Sequence, residues 1–141
     1  MIIPDANLLL YAYDSESTHH KKARQWVENV FSGDEPIRLP WQTLGAFLRI
    51  VTNPALRGTR FSEQDALAIV DEWLAQPNVK VLGQAEGHWL LLKQTILEGQ
   101  VRGPLMTDAQ LAALTIENGG TLYTTDRDFA RFPRLRWKNP L

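Results

Sequence analysis

"TDAQLAALTIENGGTLYTTDRDF", residues 107–129, contains a helix, a stop, a strand and an acidic turn in a single run. Thr107 followed by Gln110 has the capping-box pattern, the apolar residues behind it recur at helical spacing, and Gly119-Gly120 ends the segment. A strand is expected next, because Tyr123, Thr124 and Thr125 are the aromatic and β-branched types that suit a pleated, half-buried surface. A helix that feeds a strand of a parallel sheet runs antiparallel to it, so the helix start lies at the edge where the strand ends. Asp108, in the first helical turn, is thereby brought toward Asp126 and Asp128, which flank Arg127 just past the strand. Carboxylates this close repel one another unless a cation compensates them.

The rest of the chain repeats the alternation. "MIIPD" (1–5) reads as a short strand closed by Asp5, with "ANLLLYAY" (6–13) helical behind it; Pro4 weakens the last strand position because it has no N–H to donate. In residues 16–33, Ala23, Trp26, Val27, Val30 and Phe31 form one helix face that stops at Gly33. "PIRLP" (36–40) is a second strand, and residues 41–54 place Leu44, Phe47, Leu48 and Val51 on a helix face ended by Asn53-Pro54. Ser62 with Asp65 caps another helix, "NVKVLG" (78–83) is a third strand, and residues 84–99 form a helix with Trp89, Leu92 and Ile96 inward. "LRWKNPL" (135–141) supplies the fifth strand. Strands separated by helices imply a parallel sheet with helices on both faces. No repeat, low-complexity tract or linker divides the chain, so one domain over residues 1–141 is expected.

Composition narrows the chemistry. With 141 residues, 44% of them hydrophobic, the chain can bury a substantial core. Fifteen basic and 16 acidic side chains give a net charge of −1, so any nucleic-acid site must be local rather than a property of the whole surface. The absence of cysteine excludes disulfides and thiolate metal sites and suits a reducing cytoplasm. The apolar opening contains Asp5 and Asn7, lacks a basic leader and is too short to span a bilayer, so neither a targeting signal nor membrane attachment is expected.

In an open α/β sheet, ligands bind beyond the carboxyl ends of the strands. Asp5, Asp108, Asp126 and Asp128 all map to that edge. Aspartates without cysteine or an obvious histidine ligand suit a hard, oxygen-preferring ion such as Mg²⁺ or Mn²⁺. Taken singly, Asp108 reads equally well as a first-turn acid favoured by the helix dipole, and Asp126 or Asp128 as the cap of the turn "RDFARF". Asn7 and Thr125 stand at the same edge, where they orient a ligand or bond the loop backbone. His19, His20 and His88 read as surface or partly packed residues, and the five tryptophans as core more than as a stacking platform. Arg127, Arg131, Arg134, Arg136 and Lys138 make the C-terminal segment positive, and Arg57 and Arg60 add a second basic edge that could hold phosphates.

The segments "DANLLLYAYD", "LPWQTLGAFLRIVTNP", "VRGPLMTDAQLAALTIENGGTLYTTDRDFARFP" and "LRWKNPL" resemble the PIN-domain ribonucleases, in particular the VapC toxins of bacterial VapBC toxin–antitoxin pairs. The resemblance implies a three-layer α/β/α sandwich around a parallel sheet of about five strands. It also implies a metal-dependent ribonuclease that hydrolyses RNA phosphodiester bonds and is neutralised by a cognate VapB-type antitoxin, with the toxin a homodimer. By position, Asp5 matches the family's first metal-binding aspartate, Asp108 the one opening the late helix, and Asp126 and Asp128 the acidic turn. The implied metal set is Asp5, Asp108 and Asp126, with Asp128 in the catalytic group and Asn7, Thr125 and Arg127 toward substrate. One departure stands out. Many PIN domains carry a glutamate on the second helix in a pattern like E-L-L-R, whereas this chain has Ala46-Phe47-Leu48-Arg49, which implies one well-held ion rather than two.

Two other classes compete with this reading. A receiver-type phosphoacceptor would need an aspartate after the third strand, where this chain has "KVLG". A catalytically impaired PIN-like module that binds RNA or a protein partner finds its support in Ala46 alone.

Overall fold

The computed structural model describes residues 1–55 and 61–141. Five strands, β1 (Ile2–Pro4), β2 (Ile37–Pro40), β3 (Val79–Leu82), β4 (Thr121–Tyr123) and β5 (Trp137–Lys138), form one sheet in the order β3-β2-β1-β4-β5. Every pairing is parallel. The helices are α1 (Ala6–Tyr13), α2 (His20–Phe31), α3 (Trp41–Val51), α4 (Glu63–Leu74), α5 (His88–Gly99) and α6 (Met106–Glu117).

Strand alternation divides the interior into two cores. Ile2, Ile37, Leu39 and Val79 pack with residues of α1 to α4, including Phe47 and Trp73. Ile3 and Leu122 point the other way, against α6, Phe129 and Phe132. These are the three layers α/β/α. Each fully buried side chain of this kind contributes roughly 1.5–3 kcal/mol.

Pro4 remains within β1 and leaves a mark on it. Ile2 N donates to Pro36 O on the β2 side, so the next donor facing β2 would be residue 4, which has none. The β1–β2 register accordingly consists of Ile2↔Ile37, while β1–β4 runs on to Pro4↔Tyr123. The Thr43 hydroxyl, on the first turn of α3, donates instead to Pro4 O at 3.3 Å. This contact draws the start of α3 onto the carboxyl end of β1.

Several local expectations hold. Ser62 caps α4 by accepting from Asp65 N. Gly119, at φ +64, follows α6 and returns its N–H to Ile116 O while Gly120 N returns to Thr115 O, a Schellman closure. Two others fail. Thr107 does not cap α6: the helix begins at Met106, straight out of a 3-10 turn over Gly103–Leu105, and no side chain caps it. That turn already supplies the acceptor for the first helical N–H, since Met106 N donates to Gly103 O. Trp89 does not point inward but is exposed, with Leu90 and Leu97 beside it; α5 packs on α6 through Thr95, Gly99, Leu92 and Ile96. Trp41 is exposed as well. Arg57 and Arg60 lie outside the described residues. Among the described residues, no helix is long and apolar enough to cross a membrane.

Candidate metal centre

The four aspartates reach the carboxyl edge by three routes. Asp5 follows β1 and caps α1, its Oδ1 accepting from Ala6 N at 2.7 Å. Asp108 occupies the first turn of α6. Asp126 caps the 3-10 turn Arg127–Arg131 through an Oδ1 that accepts from Asp128 N at 2.9 Å. Asp126 therefore caps the turn and belongs to the acidic cluster at once, whereas both oxygens of Asp5 accept hydrogen bonds, Oδ1 from Ala6 N and Oδ2 from the Thr124 hydroxyl.

Asp108, Asp126 and Asp128 each present an oxygen, and the three oxygens lie within 4.8 Å of one another. Asp5 is not one of these three, and Asp128, which the sequence reading places in the catalytic group, is. Asp5 remains electrically part of the site, since its charge acts on Asp108 and that of Asp126 acts on it. Burial, followed by the negative charges of Asp126, Asp5 and Asp128, pushes the Asp108 carboxyl up to about 6, with Arg131 pulling the other way. The Asp5 carboxyl is raised by burial, against the hydrogen bonds from Thr124 and Ala6 that lower it.

Thr124 is the residue that sequence reasoning missed. It is fully buried, its hydroxyl donates to Asp5 Oδ2 at 2.8 Å, and the same oxygen accepts from Asp126 N at 3.1 Å and from Asn7 Nδ2 at 3.3 Å. Asn7 also donates to the Thr125 hydroxyl at 3.1 Å, so Asn7 and Thr125 bond to each other and brace the loop. Thr124 and Thr125 are adjacent and chemically identical. Only strand direction tells which one turns inward.

The basic segment separates into engaged and free members. Arg134 pairs with Glu98, and Arg136 donates to Gly119 O. Arg127 is exposed and, among the described residues, makes no ion pair with the aspartates that flank it. Ala46 lies one turn after Thr43 on α3, on the face that leans toward β1.

Three clustered carboxylates with no pairing cation, no cysteine and no histidine among them fit an oxygen-preferring divalent ion. The PIN domain profile matches residues 2–135. Ribonuclease VapC43 and ribonuclease VapC33 of Mycobacterium tuberculosis are each 39% identical over all 141 residues, covering 96% and 99% of those proteins. The chain belongs to the PIN-domain VapC ribonucleases. Its fold is similar to that of VapBC2 from Rickettsia felis, solved bound to a DNA fragment from their promoter. The TM-score is 0.73 at 17% identity, covering 99% of this chain and 98% of the other. This VapC-family PIN domain has four aspartates at the carboxyl edge and Ala46 on α3.

Proposed function

We propose that residues 1–141 act as one PIN unit that hydrolyses RNA phosphodiester bonds with a divalent cation, Mg²⁺ or Mn²⁺, in the cytoplasm. The observation that carries this reading is the convergence of Asp108, Asp126 and Asp128 within 4.8 Å at the carboxyl edge. Asp5, Asp108 and Asp126 would hold the ion, with Asp128 beside them. Such an ion, when bound, activates water and offsets charge growing on phosphate oxygens.

The chain's own groups do the rest. Asp126 and Asp128 accept hydrogens from the attacking water and aim its oxygen in line with the scissile P–O bond. Water oxygen bonds to phosphorus as its proton passes to Asp128, the bond to the leaving oxygen breaks, and the leaving oxygen takes up a proton from solvent. Arg127, unpaired and exposed beside the acids, is placed to hold a non-bridging phosphate oxygen. Thr124 keeps Asp5 and the Asp126 turn from drifting apart. No histidine is needed.

A VapB-type antitoxin is the expected partner, which the VapBC2 likeness supports. A homodimer is supported by α5, whose outer face exposes Trp89, Leu90 and Leu97. The test is direct. Asp5→Asn, Asp108→Asn and Asp126→Asn should each abolish EDTA-sensitive RNA cleavage while leaving the fold intact by circular dichroism. Wild-type cleavage in excess EDTA, or full activity in these variants, would sink the reading. Ala46 favours one rival, an impaired module that binds RNA without cutting it, and a folded wild type that binds RNA and metal but leaves RNA intact would establish that rival.

A further inference from the structure

Trp41 is out of place for a core residue. It follows the buried Pro40 at the end of β2, yet its side chain is 61% exposed. Pro40 pairs in register with Leu82, so the indole emerges at the carboxyl edge beside Gly83. A Cβ on Gly83 would stand 3.8 Å from indole Cδ1, and its absence leaves that flank of the ring without a covering side chain. The next residue fixes where this edge lies. Gln42 Nε2 donates to Thr107 O at 3.1 Å, one residue before Asp108, and thereby ties the start of α3 to the start of α6.

Arg131 lies in the turn after β4, which the sheet order β3-β2-β1-β4-β5 sets on the far side of β1 from Trp41. Its Nη1 donates to Gly99 O at 3.3 Å, and its charge acts on the Asp108 carboxyl. The seat depends on a glycine: a Cβ at residue 99 would fall 2.5 Å from a ring carbon of the buried Phe132, so the last turn of α5 lies flush against the turn that carries Arg131. Among the described residues Arg131 makes no ion pair, and the rest of its guanidinium fork is free.

An exposed π-face, a carboxylate cluster and a seated guanidinium therefore follow one another along the edge. We propose that a single-stranded RNA segment crosses there, with an unpaired base stacked on Trp41, the scissile phosphate at the aspartates, and a flanking phosphate held by Arg131. This rests on the ribonuclease reading above. An indole grips an unpaired base because that base offers its face, whereas bases in a duplex are already stacked on their neighbours. Two guanidiniums without an ion pair among the described residues, Arg127 and Arg131, bracket the acids and suit phosphates on either side of a bound cation, which favours this occupant over a second copy of the chain at Trp41.

Binding of a labelled mixed-sequence single-stranded RNA, and of the same strand annealed to its complement, should be measured by anisotropy in the inactive Asp5→Asn background at several salt concentrations. Light scattering would give the mass of each variant. Trp41→Ala should weaken single-strand binding by roughly 5- to 150-fold, the worth of one base–aromatic stack, with the salt slope and mass unchanged. Trp41→Phe should keep most of the affinity, and duplex binding should barely respond. Arg131→Ala should lower the slope of log affinity against log salt by ~0.7. The proposal is overturned if Trp41→Ala binds like its parent or loses a subunit, which would assign the indole to a second copy. It is also overturned if Arg131→Ala keeps the full slope while melting earlier, which would make Arg131 a cap for α5 only. Failure of the Asp5→Asn parent to bind any RNA would instead count against the ribonuclease reading itself.

Discussion

The Thr124 hydroxyl donates to Asp5 Oδ2 at 2.8 Å across 119 residues of sequence, and the same oxygen receives Asp126 N at 3.1 Å. One buried atom thus fixes the first aspartate of the chain against the turn that carries two others. Thr124→Val keeps the shape and removes these two bonds together with the one from Asn7 Nδ2. Orienting partners of metal-binding carboxylates are worth roughly 10- to 100-fold in metal affinity or activity, so a loss of that size is expected in Mg²⁺ titrations and in RNA cleavage. Thr124→Ser should retain most of both. Wild-type metal affinity in a folded Thr124→Val would show that Asp5 and Asp126 hold their places without the hydroxyl.

The charge crowding at Asp108 makes the metal-free protein sensitive to pH. Its folded-state carboxyl titrates at about 6 rather than the ordinary 3.8, so between these values the folded protein holds a proton that the unfolded chain has released. Stability therefore falls as pH rises through this window, and the penalty is complete above about 6. Asp108→Asn should stabilise the protein in EDTA at pH 7 by on the order of 1 kcal/mol after allowing for solvent screening of a half-buried group, read as a higher melting temperature. The gain should fade as pH falls toward 4. Saturating Mg²⁺ should reverse the order, because only the wild type would bind the ion fully. Equal melting temperatures at pH 7 without metal would contradict the crowding.

Ala46→Glu tests the departure on α3. Ala46 follows Thr43 by one turn, and Thr43 touches the carboxyl end of β1. A glutamate there should reach the acidic edge and tighten Mg²⁺ or Mn²⁺ binding measured by calorimetry. A folded variant with unchanged affinity would place the residue away from the ion.

Arg127 and Arg134 should behave differently. Arg127 is exposed and unpaired among the described residues, whereas Arg134 is held by Glu98 at 3.0 Å. Arg127→Ala in the Asp5→Asn background should lower the salt slope for single-stranded RNA by ~0.7, with similar loss on every sequence. Arg134→Ala should leave the slope unchanged. If the two variants have the same slope, the RNA path does not pass Arg127.

Much of this protein is local and therefore written in its sequence. Apolar stripes at helical spacing, the Ser62 cap and the Gly119 stop depend on neighbours a few residues away, and they fixed six helices, five strands and the edge to which the aspartates belong. The Thr107 pattern misled because a 3-10 turn had already satisfied the helix start, a competition that the pattern itself does not reveal.

What depends on distance across the chain was decided by tertiary structure alone. Four aspartates at one edge do not say which oxygens meet; the Thr124 hydroxyl ties Asp5 to the turn of Asp126, and the oxygens of Asp108, Asp126 and Asp128 come within 4.8 Å of one another. Two identical threonines in a row carry no sign of which faces inward. Trp41 and Trp89 have the composition of core residues, but Trp41 stands at the start of α3 and Trp89 at the start of α5, where both indoles are left exposed. Hydrophobicity determines that a side chain favours burial, whereas the number of elements available to cover it is a property of the assembled fold.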